Sequence, residues 1–212
     1  MLQTQPHQPI QLYRHALSGH SHRVELFLSL LGLPFERIDI DLALGAHKQP
    51  EFLKINPFGQ LPALDDNGVT VADSNAILVY LATKYADSNW LPRDPEGAAA
   101  VQQWLSVAAG QIAYGPAAAR LVTVFGAKLN HEGAKTIAHN LFKLMETHLE
   151  QRKFLVSNTP TIADVAGYSY IAHAPEGDVS LQPYPHIRAW LTRIEQLPGF
   201  VSMVSTAVGL AA

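Results

Sequence analysis

The first third of the chain alternates short apolar runs with polar turns. Residues 10–13 form a short apolar stretch, and after a polar segment at 18–21 the apolar-rich run at 24–31 predicts a capped helix that stops at Gly32. Residues 35–41 then alternate apolar and polar side chains, as is typical of a strand. The opening therefore predicts a β-α-β unit.

The next segment predicts a hairpin and a helix. Residues 61–64 and 69–71 are short apolar stretches, and the sequence Asp-Asp-Asn-Gly at 65–68 between them is typical of a hairpin turn. An apolar helix is predicted over residues 75–85, directly after Asp73 and Ser74. The first part of the chain should therefore contain both strands and helices.

Strand patterns end at a segment rich in proline and aspartate, residues 86–95, which we interpret as a linker. Beyond it, residues 96–124 and 132–155 predict long helices, and two shorter ones follow, the second at 187–196. The first short helix begins at Thr161-Ile-Ala-Asp164, a spacing that predicts a capping box. The predicted domains are residues 1–85 and an all-helical 96–212.

Composition narrows the class of protein. The chain has 212 residues, 48% apolar and 16% charged, with a net charge of -3, which indicates a globular protein and gives no reason to expect nucleic-acid binding. Apolar runs are far shorter than the roughly 20 residues of a membrane span, and no secretory signal is evident, so a cytoplasmic location is expected. The chain contains no cysteine, so any sulfur chemistry requires a thiol from a ligand.

Three places could carry chemistry, and each has an ordinary alternative. Pro62 inside a predicted strand indicates either a cis peptide bond that leaves the main chain of Leu61 open to a ligand, or an edge strand. Asp73 and Ser74 at a helix start suit an α-amino-acid head group or a simple cap. Ser18 at the first helix is likewise a cap, or a nucleophile only if His20 or His22 turns toward it as a base.

Three histidines lie near Ser18 in the sequence, and no catalytic or metal-binding role is assigned to them. The spacing of His15, His20 and His22 matches no familiar zinc pattern, so no metal is predicted. His20 and His22 could tune a site near neutral pH, but the expectation is that both are solvated.

Together these residues resemble a glutathione transferase. The resemblance covers nearly the whole chain and depends on four motifs at family-like separations, namely Ser-Gly-His-Ser-His-Arg-Val at 18–24, Asn-Pro-Phe-Gly-Gln-Leu-Pro-Ala-Leu at 56–64, Asp-Ser-Asn-Ala-Ile at 73–77 and the capping box at 161–164. It implies a thioredoxin-like N-terminal domain followed by an all-α C-terminal domain.

The resemblance also implies a glutathione site. Pro62 would be the family's cis-proline, and the main chain of Leu61 would pair with the cysteinyl part of glutathione. Asp73 and Ser74 would hold the γ-glutamyl end, although the family often has glutamate where this chain has Asp73. The remaining implied contacts are Lys48 and Gln60 near the glycyl end or nearby backbone, and Ser18 facing the sulfur.

Two hydroxyls compete for the role of thiol activator. The pattern Ser-x-x-Ser-x-Arg-Val resembles the serine-type, bacterial-like cytosolic classes and favours Ser18. Tyr13 lies near the end of the first strand, roughly where the tyrosine-type classes keep their activating hydroxyl. We expect Ser18 to be the catalytic group and Tyr13 to be the alternative.

The resemblance implies a homodimeric detoxification enzyme that conjugates glutathione, as co-substrate, to small hydrophobic electrophiles. Glutathione-dependent reduction of disulfides or peroxides, maleylacetoacetate-type isomerisation and a noncatalytic interaction module are the alternatives. The second substrate is expected between the Ser18 region and the helix at 96–124, where Trp104, Tyr114 and Phe125 would supply an apolar wall and Arg120 a charge.

Overall fold

The computed structural model describes residues 5–210, which divide into two compact units. The first unit spans Met1–Leu91 and Pro198–Val204, and the second spans Pro92–Leu197 and Ser205–Ala212. Sequence reasoning assigned every residue after 95 to the helical part, whereas the short segment Pro198–Val204 belongs to the first unit.

A four-stranded sheet forms the centre of the first unit. Its strands, in chain order, are β1 (Ile10–Arg14), β2 (Phe35–Asp39), β3 (Ala63–Asp66) and β4 (Val69–Ala72). The spatial order is β2-β1-β3-β4, with β2 parallel to β1 and the other two pairs antiparallel. The parallel pair is joined by α1 (Gly19–Leu30), so the predicted β-α-β opening is confirmed.

Two further helices complete this unit. They are α2 (Pro50–Ile55), preceded by a 3₁₀ turn at Ala46–Lys48, and α3 (Ser74–Tyr85). The helices α1 and α3 pack against each other, and each contributes fully buried apolar side chains to the core. Sequence reasoning predicted α3 within one residue but predicted no element over residues 46–55.

The hairpin turn has the backbone that its sequence predicts. Asn67 and Gly68 both have positive φ, 54° and 88°, as a two-residue type I′ turn requires. The preceding strand begins at Ala63 and not at Leu61 as predicted. Since proline has no N–H for the ladder, Pro62 lies before the strand.

The second unit of the described chain is helical. Its α-helices are α4 (Pro95–Val107), α5 (Ala118–Phe125), α6 (His131–Leu149), α7 (Ile162–Ala172) and α8 (Pro185–Glu195). A π-helical segment, Ala108–Ala117, connects α4 to α5 and contains Pro116. The long helix predicted over 96–124 therefore has a wider middle section, in keeping with an internal proline, which removes a helical N–H.

The predicted capping box is present at the start of α7. The carboxylate of Asp164 accepts from the N–H of Thr161 at 2.8 Å, and the Thr161 hydroxyl accepts from the N–H of Ala163 at 3.2 Å. Asp164 also accepts from the N–H of Leu155 and from Nε1 of Trp190. Burial raises the pKa of this carboxyl, although the hydrogen bonds oppose that effect. Because Asp164 also bonds to Leu155 and Trp190, the capping residue connects α7 to other parts of the helical core.

No helix within residues 5–210 is both long enough and apolar enough to cross a bilayer.

A buried carboxylate joins the hairpin to α3. One oxygen of Asp66 accepts from the Tyr80 hydroxyl at 2.8 Å and from the Lys84 ammonium and the Tyr85 hydroxyl at 2.6 Å each. Its other oxygen accepts from the Asn67 amide at 2.9 Å. Burial by itself would raise the pKa of Asp66, but these hydrogen bonds outweigh it and lower the pKa to about 2.

This lowered pKa predicts acid-dependent stability. The unfolded carboxyl titrates near 3.8, so the stabilisation is fully present above pH 4 and is lost as the pH falls toward 2. We expect Asp66→Asn to lower the free energy of unfolding by about 2 kcal/mol at pH 7 and by much less near pH 2.5. Urea unfolding across this range measures the difference.

The neighbouring Asp65 provides a matched control, because its carboxylate accepts only an exposed turn N–H from Gly68 among the hydrogen bonds seen. Asp65→Asn should change stability much less. An Asp66→Asn effect that is equal at pH 7 and pH 2.5 would contradict the assigned pKa.

Candidate active site

A cavity of about 410 Å³ lies where the N-terminal ends of α1 and α3 meet the loop before β3. It is lined by Ser18, His20, Leu42, His47, Lys48, Gly59, Gln60, Leu61, Pro62, Asp73 and Ser74. Seven of the eight residues assigned to a site from the sequence therefore lie around one space. The eighth, Tyr13, is not among the lining residues.

Ser18 is the N-cap of α1. Its extended backbone, with φ −90° and ψ 117°, ends the preceding turn, and its hydroxyl oxygen accepts from the N–H of Ser21 at 3.3 Å. A hydroxyl that accepts a main-chain hydrogen bond keeps its own proton to donate. Ser18 can therefore cap the helix and donate to a ligand atom at the same time.

The residues before Ser18 form a tight turn. The N–H of Ser18 donates to the carbonyl of His15 at 3.0 Å, and the N–H of Leu17 donates to the His15 ring at 3.3 Å. The N–H of His15 donates in turn to the hydroxyl of Ser21 at 3.2 Å. Both serines of the Ser-x-x-Ser pattern thus bond to main-chain groups of the same turn.

A buried arginine connects the two helix N-termini. The Nη1 of Arg23, which is 1% exposed, donates to the Ser74 hydroxyl and to the Asn75 side-chain oxygen, both at 2.8 Å. Guanidinium groups only donate, so Ser74 accepts in this pair. Sequence reasoning identifies Arg23 only as part of a motif, and its position directly before the apolar run at 24–31 was the available signal.

His20 lines the same cavity and lies beside Ser74. Its Nδ1 is 3.3 Å from the Ser74 hydroxyl oxygen. Burial, and secondly the positive charge of Arg23, lower the pKa of His20 from 6.5 to about 3. His20 is therefore neutral throughout the physiological pH range.

The expectation that His22 is solvated is wrong. His22 is 4% exposed, and its Nε2 lies 2.9 Å from the carbonyl oxygen of Val201, in the segment that returns to the first unit. Its place on α1, facing that segment, explains the burial, which the spacing of histidines along the chain does not encode.

Asp73 caps α3 in an unusual backbone conformation. Its φ is 72°, a region that L-residues seldom occupy, and its Oδ1 accepts from the N–H groups of Asn75 and Ala76 at 2.9 and 3.0 Å. Both cap bonds use the same oxygen. The carboxylate thus adds negative charge to a cavity wall that also contains the positive end of the α3 dipole.

The loop before β3 is shaped by close contacts. The Leu61–Pro62 peptide bond is cis. The ammonium of Lys48 donates to the carbonyls of Phe58 and Gly59 at 3.2 and 2.8 Å. A Cβ at Gly59, whose φ is 58°, would lie 2.8 Å from the carbonyl oxygen of His47, so only glycine fits there.

His47 is a cavity residue that sequence reasoning missed. Its Nδ1 is buried and has no hydrogen-bond partner among residues 5–210. The available signal was its position directly before Lys48, in the 3₁₀ turn Ala46–Lys48. A buried nitrogen without a partner at a cavity wall is a natural contact for a polar ligand.

The side chain of Tyr13 makes its contacts away from the cavity lining. Its hydroxyl donates to the side-chain oxygen of Gln11 at 3.1 Å, and its ring packs edge-on against Phe52. Burial, and secondly the negative charge of Asp65, raise the pKa of this hydroxyl.

The four residues expected to line the second-substrate pocket lie in the helical unit and differ in exposure. Arg120 is 1% exposed and pairs with the carboxylate of Glu176 at 2.5 Å, so its expected role as a charge in a substrate pocket is wrong. Its position on the inner face of α5 is the physical reason. Tyr114 and Phe125 are exposed, and Trp104 is half-buried against the ring of His148.

Across residues 5–210, no group of three or more His, Asp or Glu side chains is arranged to hold a metal ion.

Comparisons with known proteins identify the family to which the chain is related. The N-terminal glutathione S-transferase domain model matches residues 8–83, and the C-terminal domain model matches residues 114–198. Glutathione S-transferase 3 of Zea mays is 34% identical, over 93% of this chain and 94% of its own. The human theta-2 transferase is 30% identical, over 90% and 82%.

Solved structures give the same result. A glutathione S-transferase from Pseudomonas fluorescens superposes with a TM-score of 0.88 at 30% identity, over 93% of this chain and all of its own. A glutathione transferase homologue from Drosophila mojavensis, solved with bound glutathione, gives a TM-score of 0.81 at 28% identity, over 90% and 89% of the two chains. By sequence, by its thioredoxin-like and helical units and by these relatives, the chain belongs to the glutathione S-transferase family and is a glutathione transferase enzyme.

Proposed function

We propose that the cavity binds glutathione, that Ser18 stabilises its thiolate, and that the enzyme conjugates this thiolate to small hydrophobic electrophiles. The observation that carries the proposal is the position of Ser18, which caps α1 and lines the cavity. Its hydroxyl oxygen accepts from the helix, so its O–H can still donate a hydrogen bond to a ligand. The family binds glutathione as its co-substrate, and every group assigned below is a side chain or main chain of the cavity wall.

The charges of the cavity suit the two ends of glutathione. The γ-glutamyl carboxylate would lie at the N-terminal end of α3, where Ser74 and the helix dipole favour an anion, and the ammonium would pair with Asp73. The glycyl carboxylate would lie near His47 and Lys48, whose side chains supply a polar nitrogen and a positive charge. Gln60 lies beside this end.

Between these ends, the cysteinyl part would extend along Leu61. The pairing of β3 with β1 and β4 begins at Ala63. The main chain of Leu61 therefore lies outside the sheet ladder and can pair with an extended peptide. Pro62 adds an apolar wall without a competing N–H donor. The sulfur would then face Ser18 at the N-terminal end of α1.

The thiolate is stabilised by two contributions. A hydrogen bond to a charged group contributes about 1.5–3 kcal/mol, and a helix N-terminus contributes about 0.3–1 kcal/mol. At 1.36 kcal/mol per unit, these contributions lower the thiol pKa from about 8.5 to roughly 6–7. Bound glutathione would then be mostly ionised at pH 7.

The reaction itself follows from this ionisation. The thiolate sulfur attacks the electrophilic carbon and forms the S–C bond, while the leaving group departs with its electron pair. Ser18 donates to the sulfur before the attack and keeps its proton throughout, so no proton transfer to the protein is required. The proposal also includes a homodimer in the cytoplasm with a detoxification role, as the family resemblance implies.

Replacing the two candidate hydroxyls tests the assignment. Ser18→Ala removes the donor to the thiolate, so we expect kcat/KM with an activated aryl halide to fall about 10- to 100-fold, the loss expected for one charged hydrogen bond. Tyr13→Phe should change kcat/KM less than about threefold, because its hydroxyl is bonded to Gln11.

The opposite ranking would assign activation to Tyr13 and overturn the serine assignment. Turnover of a symmetrical disulfide or a hydroperoxide in place of the aryl halide would keep the thiolate site but change the reaction class. Absence of glutathione binding by the unmodified protein would overturn the proposal as a whole.

Proton release on binding provides an independent test. His20 has a pKa of about 3 and stays unprotonated above about pH 4, so it cannot retain the thiol proton at neutral pH. Calorimetry with reduced glutathione at pH 7, in two buffers of different ionisation heat, should therefore show about 0.5 to 0.9 proton released for each glutathione bound, the range that a thiol pKa of roughly 6–7 gives. His20→Asn should release the same number, and a clear increase would show that His20 takes up the proton.

A further inference from the structure

Ser21, the second serine of the Ser-x-x-Ser pattern, is not part of the proposed glutathione contacts, although it lies in the first turn of α1 and is only 1% exposed. We propose that Ser21 is a positioning residue, whose hydroxyl holds the turn between β1 and α1 in the shape that places the Ser18 hydroxyl at the glutathione sulfur. This inference rests on the proposed function of Ser18.

The hydrogen bonds of the turn depart from an ordinary capping box. In such a box the third helical residue bonds back to the N–H of the cap residue. Here the N–H of Ser18 donates instead to the carbonyl of His15, and the third helical residue, Ser21, accepts from the N–H of His15. The side chain of Ser21 therefore reaches past the cap to the first residue after β1.

Hydrogen bonds with both serines fix the two main-chain groups of His15. Its N–H is held by Ser21 and its carbonyl by Ser18, while the N–H of Ser21 donates to the Ser18 hydroxyl oxygen. The three residues thus form a closed set of hydrogen bonds around the turn. Loss of the Ser21 hydroxyl would leave the His15 N–H without this acceptor, and a backbone donor without an acceptor favours a rearranged turn.

The turn also connects Ser18 to the opposite wall of the cavity. Within β1, Tyr13 pairs with Ala63, the residue that follows Pro62. The sheet therefore fixes the start of the turn relative to Leu61 and Pro62, and the turn fixes Ser18 relative to the sheet. Since hydrogen bonds weaken steeply with distance and angle, a small shift of this turn would weaken the Ser18 bond to sulfur.

The test measures the thiol itself. We would titrate the ultraviolet absorbance of the thiolate in the saturated glutathione complex, together with the Kd of glutathione and with kcat for an activated aryl halide. For Ser21→Ala we expect the thiol pKa to rise by about one pH unit, a tenfold change in its ionisation constant, and kcat at pH 6.5 to fall several-fold. The Kd of glutathione should change less than about twofold, because the γ-glutamyl and glycyl contacts remain.

Ser29 provides the matched control on the same helix. Its hydroxyl donates to the carbonyl of Gly199 at 2.7 Å, away from the turn, so Ser29→Ala removes one hydroxyl bond without touching the cavity. The thiol pKa should then stay unchanged. An equal rise in both variants would show a general weakening of α1 and would overturn the positioning role.

Ser21→Cys keeps nearly the same volume with a much weaker acceptor, in case the alanine variant does not fold, and the absorbance of its own thiol is subtracted by titrating the variant without glutathione. It should fold and raise the thiol pKa in the same direction. Failure of both variants to fold, or an unchanged thiol pKa in either folded variant, would overturn the inference. If the unmodified protein does not bind glutathione, or Ser18→Ala leaves the thiol pKa unchanged, the proposed function has failed instead.

Discussion

The cavity exists because the N-terminal ends of α1 and α3 are held side by side, and the buried guanidinium of Arg23 holds them there. A charged group at 1% exposure is tolerated only where its donors find acceptors, and here two adjacent residues of α3, Ser74 and Asn75, provide them. One guanidinium nitrogen, Nη1, donates to both acceptors, so a single buried group connects α1 to the start of α3. The two positive helix ends therefore converge on one space, which suits a ligand with anionic groups.

The features that could be predicted from the sequence are those fixed by neighbours along the chain. The Asn67–Gly68 turn depends on two residues that tolerate positive φ, and the capping box depends on the three-residue spacing of Thr161 and Asp164. Six of the seven predicted cavity residues were found because each lies in a short motif at a helix start or beside Pro62, whereas Lys48 was implied only by the family resemblance. In all these cases except Lys48 the physical cause lies within a few residues of the feature.

The features that could not be predicted depend on which side of an element faces the interior. His22 and Arg120 are polar residues on helices, and nothing local distinguishes them from solvated ones, yet both are buried against distant segments of their own unit. The contact of His47 with the cavity likewise depends on a 3₁₀ turn that has no apolar periodicity.

The position of Ser18 also limits what evolution or engineering can place there. As a helix cap, the site would accept asparagine, aspartate, threonine or glycine with little loss of stability. Under the proposed mechanism the neighbouring thiolate imposes a second requirement, because residue 18 must donate a hydrogen bond to the sulfur and carry no negative charge. Aspartate is excluded because its carboxylate would repel the thiolate, and glycine is excluded because it has no side-chain donor. Very few side chains meet both requirements, so a screen for stability alone would admit residues at position 18 that lower the catalytic rate.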